Sequence, residues 1–147
     1  MNIEIIANDL SDKEIVKLHN LVHENPLVKD LVKPISEIQG KSVFLSGPIT
    51  GVNGYKDKFA DAAEVIKTLG ASSIFNPAAE IPDSTEREEA MRICTSKIIT
   101  SDCVITLPGW RDSEGACFEY VASEICGITH YELKELVTNS VLQQIKE

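Results

Sequence analysis

Four short apolar runs, each followed by turn-forming residues, constrain the fold more than any other feature of this chain. They are Ser42–Ser46, Ser73–Asn76, Cys103–Leu107 and Ile128–Tyr131. Strands covered on both faces read as such continuous runs. Between them lie stripes at helical spacing: Phe59, Ala62, Ala63, Ile66 and Leu69, closed by Gly70, and then Ala90, Met91, Cys94, Ile98 and Ile99 behind Thr85-x-x-Glu88, which reads as a capping box. A third helix runs from a cap at Asp112 or Ser113 to Cys126, with Gly127 as its stop. Strands alternating with helices predict an α/β fold, a single doubly wound, mostly parallel sheet of the Rossmann or flavodoxin kind. Right-handed crossovers leave few topologies and predict about four or five strands, with Ser42–Ser46 and Cys103–Leu107 adjacent at the centre.

The flanks read differently. Ser11-Asp12-Lys13-Glu14 forms a capping-box pattern before Ile15, Leu18, Leu21 and Val22, and Asn25-Pro26 opens a second short helix that Pro34 stops. Residues 1–40 are thus expected to be a helical extension, residues 42–131 the core, and residues 132–147 a terminal amphipathic helix bearing Leu133, Leu136, Val137, Val141 and Ile145. A length of 147 residues fits one domain. Leu18, Leu21, Leu31, Leu136 and Val141 are expected to pack on the core or on a second copy, predicting a homodimer or larger homo-oligomer.

Charge narrows the partners. A net charge of −9 disfavours nucleic-acid polymers and anionic membranes, while a small anionic ligand needs only a local positive site. No apolar run reaches the length of a membrane span, and Met1–Leu10 lacks a signal-peptide pattern, so a cytoplasmic protein is expected. Cys94, Cys103, Cys117 and Cys126 form no metal-ligand spacing; reduced structural thiols, no metal and no cofactor are expected.

Ligands of doubly wound sheets bind beyond the carboxyl ends of the strands, which directs attention to three loops. Ser46-Gly47-Pro48-Ile49-Thr50-Gly51 follows the first strand; its glycines either let backbone amides approach a ligand or simply serve a turn. Asn76-Pro77 ends the second strand, and Glu80 and Asp83 follow it within reach of the same place. Pro108-Gly109-Trp110-Arg111-Asp112-Ser113-Glu114-Gly115 leads into a helix, where Ser113 and the first amides make an anion site, Trp110 can stack on a base and Arg111 can pair with a phosphate; a capped helix with a solvated Arg is the plainer alternative. Glu119 lies inside that helix among Ala116, Cys117, Phe118, Tyr120, Val121 and Ala122, a setting that raises a carboxyl pKa if the side chain turns inward.

Ser46–Gly51, Asn76-Pro77, Ser101-Asp102-Cys103, Leu107-Pro108-Gly109-Trp110 and Ser113-x-Gly115-Ala116-x-x-Glu119 together resemble a largely uncharacterised, DUF4406-like branch of the nucleoside 2-deoxyribosyltransferase superfamily, common in bacteriophages and their hosts. The resemblance covers about residues 42–131. It implies chemistry at an N-glycosidic bond in a bacterial or phage-infected cytosol, with Glu119 attacking or stabilising the sugar C1′ and Asp102 as a second matched carboxylate, although Asp102 also stands as a cap at the start of its strand, a purely structural alternative. It also implies a substrate site from Ser46, Gly47, Pro48, Thr50, Gly51, Asn76, Pro77, Gly109, Trp110, Ser113 and Gly115. Serine rather than a carboxylate at position 113 resembles relatives that act on nucleoside 5′-monophosphates, so the implied partner is a small nucleoside or nucleotide. Where many relatives carry Met-Arg-Arg-Asp, this chain reads Met91-Arg92-Ile93-Cys94, so a thiol stands where the resemblance implies an acid that handles the base. That departure opens a second reading, a catalytically silent binder of a nucleotide-derived molecule.

Overall fold

The computed structural model of the chain describes residues 36–146, with the backbone alone from 141, together with Glu14 and Lys17. The expected N-terminal helices, with Leu18, Leu21 and Leu31, and the side chains of Val141 and Ile145 lie outside the described residues.

Strand β1 (Ser42–Ser46) is followed by α1 (Tyr55–Thr68), β2 (Ser73–Phe75), α2 (Pro77–Glu80), α3 (Arg87–Ile98), β3 (Cys103–Thr106), a single 3-10 turn at Trp110–Asp112, α4 (Glu114–Ile125), β4 (Thr129–Glu132) and α5 (Leu133–Lys146). The four strands form one sheet in the order β2-β1-β3-β4, and every pairing is parallel. The expected central pair is present, running in register from Val43 opposite Cys103 to Ser46 opposite Thr106.

Strand alternation assigns the side chains to two layers. Val43, Leu45, Cys103 and Ile105 face one way and meet Phe59, Val65 and Ile66 of α1 with Leu133, Leu136 and Val137 of α5. Phe44 and Val104 face the other way and meet Cys94 and Ile98 of α3, beside which α4 packs. Ser46, two residues after Phe44, therefore points into the α3–α4 layer, which fixes where the site forms.

Local chemistry shifts several boundaries. β2 stops at Phe75 because the Asn76 side chain accepts a hydrogen bond from the Ala78 amide (3.0 Å) and caps α2, a one-turn helix with Pro77 in its first position that the sequence reading left out. The expected Thr85–Glu88 capping box is not formed. The Thr85 amide instead closes a turn onto the Pro82 carbonyl (3.0 Å), and α3 starts at Arg87 behind Glu86 with no side-chain cap. At α4 the expected cap holds, since the Ser113 hydroxyl accepts from the Ala116 amide at 3.3 Å. Among the described residues no helix is long and apolar enough to cross a membrane.

Candidate active site

The loops after β1 and β2 and the start of α4 enclose a cleft of about 350 Å³ beyond the strand ends. Its floor is Glu119. The residue lies one and a half turns into α4 and points toward the sheet, so its side chain is buried, 6% exposed. Ser46, completely buried as the last residue of β1, donates its hydroxyl to Glu119 Oε1 at 2.8 Å. Cys94 of α3 lies beside the same carboxylate and lines the cleft with it.

The electrostatics follow from burial. Loss of solvent pushes the Glu119 carboxyl up to about 7, and the hydrogen bond from Ser46 and the neighbouring Cys94 thiol pull it back only in part. Near neutral pH both of its forms are populated. Burial, reinforced by the negative charge of Glu119, pushes the Cys94 thiol up to about 12, so it remains a thiol throughout the physiological range.

Around this floor the walls are mostly apolar: Ile49, Pro77, Ala78, Ile81, Ala90, Met91 and Ala116 all line the cleft. Polar groups sit at two edges. Ser113, Gly115 and Arg87 mark the edge where α3 and α4 begin. Tyr55 and Asp83 mark another, where Asp83 accepts from Lys56 (2.8 Å) and from the Tyr55 hydroxyl (3.3 Å). The Lys56 ammonium holds the exposed Asp83 carboxyl below the usual carboxylate range.

Of the residues singled out from sequence, Gly47, Thr50, Pro77, Ser113, Gly115 and Glu119 line this cleft, and Ser46 holds its floor. Gly47 is glycine for a packing reason: a Cβ there would lie 3.0 Å from Leu107 Cβ and 3.3 Å from the Phe59 ring. Asn76 acts one step back, as the α2 cap that positions Pro77. Glu80, suggested as reaching the pocket, accepts from the Asn76 amide (2.7 Å) instead. Pro48 packs toward Gly109, 3.7 Å from where a Cβ would stand there, and neither it nor Gly51 lines the cleft.

Asp102 takes its structural alternative, and the Gly109–Arg111 loop lies away from the cleft. Asp102 sits at the opposite end of the sheet, before β3, where it accepts from the Ser42 amide (2.9 Å) and joins two strand starts; that hydrogen bond keeps its carboxyl low. Trp110 is buried away from the cleft. Its ring lies 4.9 Å from Tyr120 and 5.5 Å from His130, and its Nε1 donates to Glu132 (3.0 Å). Arg111 covers the Trp110 ring at 4.6 Å and pairs with Glu132 at 2.9 Å. The Leu-Pro-Gly-Trp loop thus joins α4 to β4, and Gly109, in the left-handed region at φ 84, turns the chain into it beside a separate hollow of about 190 Å³ that Trp110 and Arg111 also line. His130, for which the sequence offered no account, belongs to this cluster and bonds Thr106 Oγ1 through Nε2 at 2.8 Å.

Sequence reasoning missed Tyr55 and Arg87. Tyr55 opens α1 just beyond the turn-rich loop, and Arg87 stands in a charged stretch (Glu86–Glu89) that reads as an ordinary solvated helix start. Among the described residues, no group of three or more His, Cys, Asp or Glu side chains is placed to hold a metal ion.

A parallel α/β domain with a carboxylate-floored cleft at its strand ends is the class that fold and site define. The family model for a domain of unknown function (DUF4406) matches residues 41–131, and the chain belongs to this family. No curated protein and no solved structure matches the chain.

Proposed function

We propose that the chain cleaves or transfers the N-glycosidic bond of a (deoxy)nucleoside 5′-monophosphate, in the manner of the nucleoside 2-deoxyribosyltransferase superfamily. The observation that carries this reading is Glu119, a buried carboxylate held by Ser46 at the floor of a nucleotide-sized cleft. Burying a carboxyl on a helix that offers apolar alternatives costs stability, and such groups concentrate at functional sites.

The geometry fits a bound nucleotide. Ser113 at the start of α4 precedes Glu119 by six residues, about 9 Å along the axis, roughly the span from a 5′-phosphate to C1′. The helix start favours the phosphate, and the apolar walls suit a base. Ionised Glu119 attacks C1′; the C1′–N bond breaks with its electron pair on the base, which takes a proton from solvent. Water then cleaves the glycosyl ester, or a second base accepts the sugar.

Leaving-group protonation is the weak step. Cys94 stays a thiol, and Asp83 stays ionised at the cleft edge. A positioned acid commonly contributes about 10²- to 10⁴-fold, so turnover is expected to be slow. The same observation favours the second reading, a binder of a nucleotide-derived molecule without chemistry. Incubation with a panel of nucleoside 5′-monophosphates, with released base followed by chromatography, separates them. The enzyme reading requires base release that Glu119→Gln abolishes while nucleotide binding persists. Tight binding with no base released, even over long incubation, transfers the site to the second reading.

A further inference from the structure

We propose that Arg87 reads the ligand's phosphate by exchanging Glu114 for it, so that Glu114, just outside the cleft, holds the guanidinium in the free protein. The inference rests on the cleft being a nucleotide site, and it adds the residue that selects phosphorylated ligands.

Three observations lead to it. Arg87 is the one cationic side chain among the described residues that line the cleft, where Glu119 and Asp83 contribute negative charge. In a chain of net charge −9, an anionic ligand needs such a local cation. Arg87 opens α3 as Glu114 opens α4, and their side chains meet at 3.3 Å (Nη2 to Oε2). That pair is exposed, at 67% and 87% for the two side chains, so water and salt weaken it and breaking it costs little. Finally, Ser113 and Gly115 line the cleft and Glu114 between them does not. The first amides of α4 precede the helix's first internal bond, from the Cys117 amide to the Ser113 carbonyl (2.9 Å).

The exchange has a direction. Glu114 supplies one negative charge in the first turn of α4, where the helix dipole favours an anion. A phosphate monoester supplies nearly two, with three acceptor oxygens for the guanidinium fork and the amides. The dianion therefore displaces the carboxylate, which a neutral nucleoside has no means of doing. Arg87 thereby becomes a specificity residue, and Glu114 a competitor that lowers affinity for every anion.

Calorimetric titration with the deoxynucleoside 5′-monophosphates, the parent nucleosides and 2-deoxyribose 5-phosphate tests this on the wild-type chain, Arg87→Gln and Glu114→Gln. Both side chains are exposed, and circular dichroism checks that the variants keep the fold. Arg87→Gln is expected to weaken monophosphates and the sugar phosphate about 10- to 100-fold, leaving nucleosides within about twofold. Glu114→Gln is expected to tighten the phosphorylated ligands several-fold and leave nucleosides unchanged. Equal losses for nucleosides and monophosphates, no loss in Arg87→Gln, or wild-type binding that ignores the phosphate would each overturn the proposal. The parallel base-release assay keeps the two readings apart. The binding pattern without base release removes the glycosidase and leaves Arg87 in its role; Glu119-dependent base release that Arg87→Gln does not touch does the reverse.

Discussion

The two helical layers on this sheet are built on opposite rules. α1 turns Phe59, Ala62, Val65 and Ile66 inward and closes, with α5, a core that holds fifteen buried residues among those described. On the other face the buried cluster among the described residues is Phe44, Cys94, Ile98 and Val104. There α4 turns Ala116, Glu119 and Ser123 inward and leaves Phe118, Val121 and Ile125 exposed. Apolar burial contributes about 25 cal/mol per Å², so among the described residues the α1–α5 layer supplies the larger hydrophobic contribution. The α3–α4 layer gives up part of that contribution to place a carboxylate, a hydroxyl and a thiol in contact beneath a cleft.

The largest effect separating the layers should come from truncating one buried side chain in each. Phe59→Ala, at a fully buried position of α1, is expected to cost about 3–5 kcal/mol. Cys94→Ala, buried in the site layer, removes one sulfur and is expected to cost roughly 1 kcal/mol. Urea denaturation of the two variants measures the difference. Equal costs would mean that the site layer is packed as tightly as its counterpart and that the contrast is one of composition only.

Next in size is a pH effect that only the site layer should show. The Glu119 carboxyl rises from an ordinary 4.5 to about 7 on folding. The folded state therefore holds this proton more tightly than the unfolded chain. The stabilisation is complete below pH 4.5 and is lost as pH climbs through about 7, a change on the order of 3 kcal/mol. In the proposed reaction the attacking form is the carboxylate, so activity should move the opposite way, with base release rising through pH 7 while stability falls. Urea midpoints at pH 5, 6, 7 and 8 check the first half, and Glu119→Gln should flatten that part of the profile. A slope that survives the substitution would assign the titration to another group.

Legibility in the sequence followed the same division. β1 and β3 were readable as adjacent strands because burial on both faces leaves uninterrupted apolar runs, and α1 because its stripe has helical spacing. Ser113 was readable as a cap, and Glu119 as a candidate, from the company of apolar residues; yet Phe118 and Val121 point outward, and the burial of Glu119 comes from the sheet and from Cys94. Trp110 and Arg111 misled because their loop follows the correct strand end, while the decision to face β4 rests on Glu132 and His130, some twenty residues further on. Asp102 was readable as a cap at a strand start, and its hydrogen bond from the Ser42 amide supports that structural alternative over the catalytic one. Arg87 was hidden because a charged helix start reads alike whether it faces solvent or a cleft. Short-range pattern identifies elements and caps; which long-range partner a loop side chain takes is settled by packing.

The smallest expected effect tests the outward side of α4. Phe118 is 49% exposed and Ile125 81% exposed, so neither side chain is taken fully from water when the chain folds. Replacing Phe118 by Ser removes a large apolar group yet should shift stability by no more than about 0.5 kcal/mol, as for surface substitutions generally. The contrast with Phe59→Ala, the same side chain truncated in the opposite layer, is what gives the measurement its force. Denaturation at two protein concentrations a hundredfold apart makes the result decisive. A small cost independent of concentration supports a helix whose outer apolar stripe contributes nothing to the fold. A loss above about 1 kcal/mol that grows with concentration would mean that the stripe is covered in solution by another copy of the chain, since only an associated state carries that dependence. The site layer would then draw its missing apolar burial from association, and the division of stability between the two faces would have to be redrawn.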